Sequence, residues 1–307
     1  MTHAVVFAYH NVGVRCLAVL RAHGIEIPLV VTHEDSPGES VWFESVTSLA
    51  RLHGLETVTP PDPNDATFVS RLAGLQPDFL FSFYYRQMLS PAVLATAVRG
   101  AYNMHGSLLP KYRGRVPVNW AVIHGERESG ATLHEMVVKP DAGRIVDQQA
   151  VPILPNDSAH DVFGKVTTAA EMVLDRSVPH LVDGTASLRE QDLSQGSYFG
   201  GRKPADGRID WQRGAWPVHN LVRAVAPPYP GAFAFADGVE LRILRTFWSG
   251  RRDAAGRRPT LFVADGALWL RCADGGVLRI LDAEFAGAPL TAENFHGTFN
   301  TGAPLLT

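Results

Sequence analysis

Tyr102-Asn103-Met104-His105-Gly106-Ser107-Leu108-Leu109-Pro110-Lys111-Tyr112-Arg113-Gly114-Arg115-Val116-Pro117 opens as a short apolar run behind Gly100, then turns to glycine, proline and positive charge. The opening suits a buried strand, the remainder a loop of fixed conformation at its carboxyl end. Side-chain direction alternates along a strand, so the Asn103 amide and the His105 imidazole, two residues apart, face the same side. A hydrogen-bond donor and an acid/base group thus face one point. Further on, Lys139-Pro140-Asp141-Ala142-Gly143 ends a strand expected over 130–138 and is placed to deliver a carboxylate to the imidazole. Pro-Asp-x-Gly is also ordinary turn chemistry. A nucleophile-elbow reading of Ser107 fails, because the glycine it needs two residues later is Leu109.

Upstream, apolar runs at 4–8, 27–32 and 79–83 alternate with helical patterns at 14–21, 41–53 and 65–75, the first two stopped by Gly24 and Gly54. Ser90-Pro91 reads as an N-cap with proline at the first helical position. The alternation predicts an α/β domain with a parallel sheet covered on both faces, its ligands outside the carboxyl ends of the strands. The turn after the first strand holds only Gly13 where a dinucleotide fold needs Gly-x-Gly-x-x-Gly, so no NAD is expected. Asn11 in that turn faces the ligand crevice, either touching a phosphate or sugar or capping the next helix.

Downstream, helix is expected over 116–124, strand over 145–153 and a long helix from Asp157 to about Leu181. Glycines and Pro204 then mark a linker, before a short helix at 218–225. Short segments at 232–236, 239–247, 260–263, 267–272 and 277–283, separated by Asp-Gly and Gly-Gly turns, predict a small antiparallel barrel. These breaks divide the chain into residues 1–192, a linker 193–203 and residues 204–307.

Across 307 residues, 46% of them hydrophobic, there is enough apolar surface for a sizeable core. The net charge is −3, with +1 from residue 204 onward and −4 before it, so nucleic acid is not the expected partner. The pairs Arg251-Arg252 and Arg257-Arg258 read as a solvated loop. Cys16 and Cys272 lie far apart without metal-ligand spacing, and both read as small core residues of a reducing compartment. Neither a leader nor a run of membrane length appears, so the expectation is a cytoplasmic protein without membrane insertion. His10, His124, His134 and His160 have no inferable partners and read as surface or satisfied core histidines.

Asn103-x-His105-x-Ser107-Leu108-Leu109-Pro110, followed at a distance by Asp141-x-Gly143, resembles the 10-formyltetrahydrofolate-dependent formyltransferases. Phe81-Ser82-Phe83-Tyr84-Tyr85-Arg86, Phe199-Gly200-Gly201-Arg202 and Val222-Arg223-Ala224-Val225-Ala226 resemble the branch that formylates UDP-4-amino-4-deoxy-L-arabinose, over nearly the full chain. The resemblance implies a Rossmann-like N-terminal domain and a smaller OB-like barrel. It carries the catalytic roles onto Asn103, His105 and Asp141, and folate contacts onto Gln87, Met88, Leu89, Arg115 and the turn Val137, Val138, Lys139, Pro140 and Asp141. Gln87 stands where a histidine is familiar, and Gly201 where an arginine is. Arg202 and Tyr229 are candidate sugar-nucleotide contacts beside Asn11. The implied partners are two small molecules, folate and sugar nucleotide, with no metal. Within the family, methionyl-tRNA formyltransferase shares the triad but should carry a cationic second domain. A folate or sugar-nucleotide binder without catalysis should lack one of the three polar residues, and all three are present.

Overall fold

The computed structural model describes residues 1–35, 38, 41–253, 258–299, 304 and 306–307. Arg257 lies outside them. They form two compact units, each assembled from three segments: 1–117, 129–151 and 164–200 in the first, 118–128, 152–163 and 201–307 in the second.

The chain begins β1 (His3–Ala8), α1 (His10–Ala22), β2 (Glu26–Val31), α2 (Val46–Leu52), β3 (Thr57–Val58), α3 (Ala66–Leu75), β4 (Phe79–Phe83), α4 (Pro91–Leu94) and β5 (Gly100–His105). The Asp65 carboxylate caps α3 by accepting from the Thr67 and Phe68 amides, and Ser90 caps α4 with Pro91 behind it. Helix α2 starts five residues later than the apolar pattern suggests. Asn11 Oδ1 takes the Glu44 amide at 2.7 Å, and the Ser45 hydroxyl then caps the helix. The five strands pair in parallel in the order β3-β2-β1-β4-β5. Successive strands run outward one way from β1 and then the other, so the crevice at the carboxyl ends of β1 and β4 is the topological switch point. Val5, Phe7, Leu29, Val31, Leu72 and Leu80 are fully buried beneath it.

Next come β6 (Arg113–Gly114), α5 (Pro117–Ile123), β7 (Glu128–Glu135), β8 (Ile145–Pro152), α6 (Ala159–Asp183) and β9 (Tyr198–Phe199). Strand β7 joins the sheet against β5 but antiparallel to it, with β8 outside. Between β5 and β7 the chain instead passes through α5, most of which belongs to the second unit. The expected linker is likewise structured: β9 pairs in parallel with β6, and the Ser197 carbonyl accepts from the Arg113 amide.

In the second unit α7 (Ala215–Val225) packs on an antiparallel sheet of β10 (Ala232–Ala236), β11 (Val239–Arg252), β12 (Thr260–Ala264), β13 (Ala267–Arg271), β14 (Gly276–Phe285) and β15 (Ala288–Pro289). The order is β10-β11-β14-β13-β12, with β15 on β14. Ala215, Val218, Val222 and Val225 fall at helical spacing and share one core with Leu241, Ile243, Leu268, Leu270 and Leu278. Asp237-Gly238 and Asp265-Gly266 have positive φ at both positions, the geometry that two-residue hairpin loops require. Cys16 and Cys272 are buried and unbonded, as their spacing suggested. No helix of the described residues is long and apolar enough to cross a membrane.

Candidate active site

Strand β5 ends at the site. Asn103 pairs across the ladder with His134 of β7, and its Nδ2 lies 3.1 Å from His134 Nε2. His134 Nδ1 is 2.7 Å from the Glu135 carbonyl oxygen. A carbonyl only accepts, so Nδ1 carries the hydrogen and the neutral ring offers Nε2 as an acceptor for the Asn103 amide. Two residues past Asn103, the buried His105 ring donates from Nε2 to the Tyr112 carbonyl at 2.8 Å, leaving Nδ1 as its free nitrogen.

Asp141 closes the group. Its Oδ1 lies 3.6 Å from His105 Nδ1 and 3.5 Å from His134 Nε2, while Oδ2 accepts from the Gly114 amide at 2.8 Å. Burial by itself would raise this carboxyl. The imidazoles of His105 and then His134, together with the Gly114 amide, outweigh burial and hold it well below the usual carboxylate range. The carboxylate is therefore ionised at neutral pH.

Two glycines permit this geometry. A Cβ on Gly143 would stand 2.1 Å from the Glu135 carbonyl oxygen, so only glycine lets the turn close on β7. Gly114, at φ +96°, would place one 2.2 Å from the Phe199 carbonyl oxygen. Asp141 itself has φ +53°, a region aspartate tolerates better than most residues. Gln191 Nε2 fastens the turn by donating to the Asp141 and Gly143 carbonyls.

The loop between His105 and Gly114 is held from the sheet side. Thr132 Oγ1 donates to the Ser107 carbonyl and accepts from the Leu109 amide, while Gln148 Nε2 donates to the Leu109 carbonyl and to Thr132 Oγ1. Ser107 Oγ donates to the Lys111 carbonyl, which makes it a brace for the loop. Arg113 sits between the two backbone groups that fix His105 and Asp141. It is nine-tenths buried, and its Nε has no hydrogen-bond partner among the described residues.

An amide donor, an imidazole with one free nitrogen and an ionised carboxylate beside it form a set suited to an attack on a carbonyl with one proton in transit. Residues 6–178 match the family described as Formyl transferase, and residues 202–300 match Formyl transferase, C-terminal domain. The chain belongs to the formyl transferase family.

Solved structures share the fold. An N-formyltransferase from Helicobacter canadensis, in complex with folinic acid and dTDP-3-aminofucose, is 19% identical over 91% of this chain and 99% of its own, with a TM-score of 0.72. The sugar 3N-formyl transferase WlaRD, determined with dTDP and 5-N-formyl-THF, is 19% identical over 91% and 97%, with a TM-score of 0.71. A sugar N-formyltransferase from a Shewanella species is 18% identical over 79% and 96%, with a TM-score of 0.63.

In this formyl transferase the other candidate residues occupy three places. Asn11 follows β1, and Gln87, Met88 and Leu89 follow β4, at the carboxyl ends of neighbouring strands, of which β4 also borders β5. Gln87 donates to the Pro61 carbonyl, Met88 is exposed, and Leu89 packs on the sheet core. Val137, Val138 and Lys139 are exposed on the Asp141 turn, Pro140 is half-buried, and the exposed Arg115 is tied by its amide to the Phe199 carbonyl. Arg202 and Tyr229 belong to the second unit. The Arg202 guanidinium lies 4.8 Å from the centre of the Trp120 ring and donates to the Asp206 carbonyl. Tyr229 packs on the core of that unit, and burial raises its hydroxyl, with Asn119 as its partner.

Sequence reasoning missed His134 and Thr132. Both lie on the strand expected over 130–138, at positions of one parity. Their partners come from β5 through an antiparallel pairing that no local pattern announces.

Proposed function

We propose that this formyl transferase moves the formyl group of 10-formyltetrahydrofolate onto the 4-amino group of a UDP-linked amino sugar, UDP-4-amino-4-deoxy-L-arabinose. The observation that carries the chemistry is the joint placement of Asn103, His105 and Asp141 around His134, with His105 and Asp141 at ion-pair distance. The amine nitrogen bonds to the formyl carbon, the bond from that carbon to the folate nitrogen breaks, and one proton passes from the amine to the departing nitrogen. Asn103 donates to the oxyanion that forms on the way, a role whose loss costs on the order of 3 kcal/mol. His105 carries the proton on Nδ1, and Asp141 stabilises the charged ring. Neither a metal nor a covalent nucleophile has a part in these steps.

Gln87, Met88, Leu89, Arg115 and the turn 137–141 hold the folate, while Asn11, Arg202 and Tyr229 contact the sugar nucleotide. Arg113 adds a buried cation for an anionic group of either substrate. The motif likeness to the formyltransferase domain of the bifunctional polymyxin-resistance protein supports UDP-4-amino-4-deoxy-L-arabinose, and hence a place in lipid A modification. A 3-amino sugar on dTDP is the second reading, favoured by the dTDP-3-aminofucose bound in one solved structure and by the 3N-formyl transferase name and dTDP of another. The low positive charge of the residues after 204 disfavours tRNA.

The test is an assay of the purified protein with 10-formyltetrahydrofolate against nucleotide-linked 3-amino and 4-amino sugars and charged initiator tRNA, products identified by mass. Turnover of the UDP 4-amino sugar alone is the expected result. Turnover of dTDP 3-amino sugars instead would replace the acceptor, and turnover of tRNA would overturn the sugar assignment.

A further inference from the structure

His134 lies outside the predicted triad, yet among the described residues it is the one side chain recorded against both Asn103 and Asp141. It is 2% exposed, and each ring nitrogen has an assigned neighbour: Nδ1 the Glu135 carbonyl at 2.7 Å, Nε2 the Asn103 amide nitrogen at 3.1 Å. The first contact fixes the tautomer, and the tautomer fixes the second. An amide nitrogen has two hydrogens. With one committed to Nε2, the direction of the other is set. If Nε2 gained a proton, both ring nitrogens would be donors, and the Asn103 amide would have to turn its oxygen towards the ring.

We propose that His134, in its neutral Nδ1–H form, is a positioning residue that holds the Asn103 amide so that its second N–H meets the formyl oxygen. This rests on the formyl-transfer reading above. Protonation of His134 reverses the amide and withdraws that anchored donor. The charged and titratable groups facing His134 are Asp141 from the turn and His105 from β5, with the Glu135–Arg144 ion pair beside it on β7 and the same turn. Asp141 Oδ1 lies 3.5 Å from the same Nε2 that takes the Asn103 amide.

Two measurements test this. Nitrogen-15 spectra of histidine-labelled protein should show His134 as the Nδ1–H tautomer at the pH where the enzyme works. This readout needs no activity, so it stands even if the wild-type protein formylates none of the acceptors and the functional reading falls. An Nε2–H or doubly protonated ring at that pH overturns the inference.

Kinetically, His134→Leu should lower kcat by about 10²-fold, as loss of an oxyanion donor does, with KM for both substrates within about three-fold. Combined with Asn103→Ala it should add nothing further, since both act through one donor. His134→Gln, which returns an acceptor near the position of Nε2, should recover roughly ten-fold over the leucine variant. It should also remove one proton from the slope of the acid limb of kcat. Full kcat in His134→Leu, or multiplicative losses in the double variant, overturns the inference. Should the leucine variant fail to fold, His134→Gln and the spectra decide.

Discussion

Asp141 links two histidines and a backbone amide, and its depressed carboxyl makes it a contributor to stability as well as chemistry. A carboxyl whose folded value lies below the unfolded value of about 3.9 adds stability that is complete above that value and is lost as the pH falls towards the folded one. Asp141→Asn should therefore be less stable than the wild type at pH 7, and the two should converge below about pH 4 in denaturant titrations. A difference that stays constant with pH would remove the charge from the account. In the same variant the pH profile of turnover should shift, because the imidazole of His105 loses its anion. Asn103→Ala and His105→Ala should each lower turnover by roughly 10²-fold or more with thermal stability near wild type. For Arg113→Gln we expect KM for one of the two substrates to rise about ten-fold with kcat little changed; equal KM values for both would dismiss the cation. The fold brings Asn103, His105 and Asp141 to one place. Residue types at period-two spacing, followed by a Pro-Asp-x-Gly turn, carry that much information. His134 was illegible because its meaning depends on which strand lies opposite.

The stretch from β5 to β6 owes its form to neighbours distant in sequence: Thr132 and Gln148 on one side, Ser197 and Phe199 on the other. Thr132→Val keeps the shape and deletes the hydroxyl that serves Ser107, Leu109 and Gln148 at once. It should cost about 1–3 kcal/mol in unfolding free energy and lower kcat more than KM. Gly143→Ala forces a backbone contact apart and should cost at least as much, read as a fall in thermal midpoint together with lost turnover. An alanine variant of wild-type stability would mean the turn has room to move. Strands and helices with a cap and a stop were legible to within a few residues: β10 spans 232–236 as expected, and α3 begins behind Asp65. The direction of β7 was not, since no local pattern announces an antiparallel neighbour for β5. Nor was the role of 198–199, where glycines on either side suggested a linker and a backbone ladder to β6 makes a strand.

At the scale of the chain, α/β alternation followed by short strands with Asp-Gly turns was enough to foretell a largely parallel sheet and then an antiparallel one. What composition conceals is how the second unit holds residues from the middle of the sequence. His219, fully buried, donates from Nε2 to the Pro155 carbonyl and accepts at Nδ1 from Thr246, and Arg223 donates to the Leu154 and Asp157 carbonyls. Burial pulls His219 down to about 4. Its unfolded form binds a proton near 6.5, so between those values the unfolded chain holds more protons and stability falls as the pH drops. His219→Gln should flatten that dependence in thermal melts from pH 6.5 to 4; an unchanged slope would assign it elsewhere. The interleaving of the two units also bears on how this protein can be taken apart. A single cut near residue 200 does not yield two intact halves. The front piece would keep the 152–158 backbone without the arginine and histidine that bind its carbonyls, and the rear piece would lose the stretch on which α7 closes. Inheritance and engineering face the same constraint: the C-terminal sheet is exchangeable only together with two short segments encoded well upstream of it.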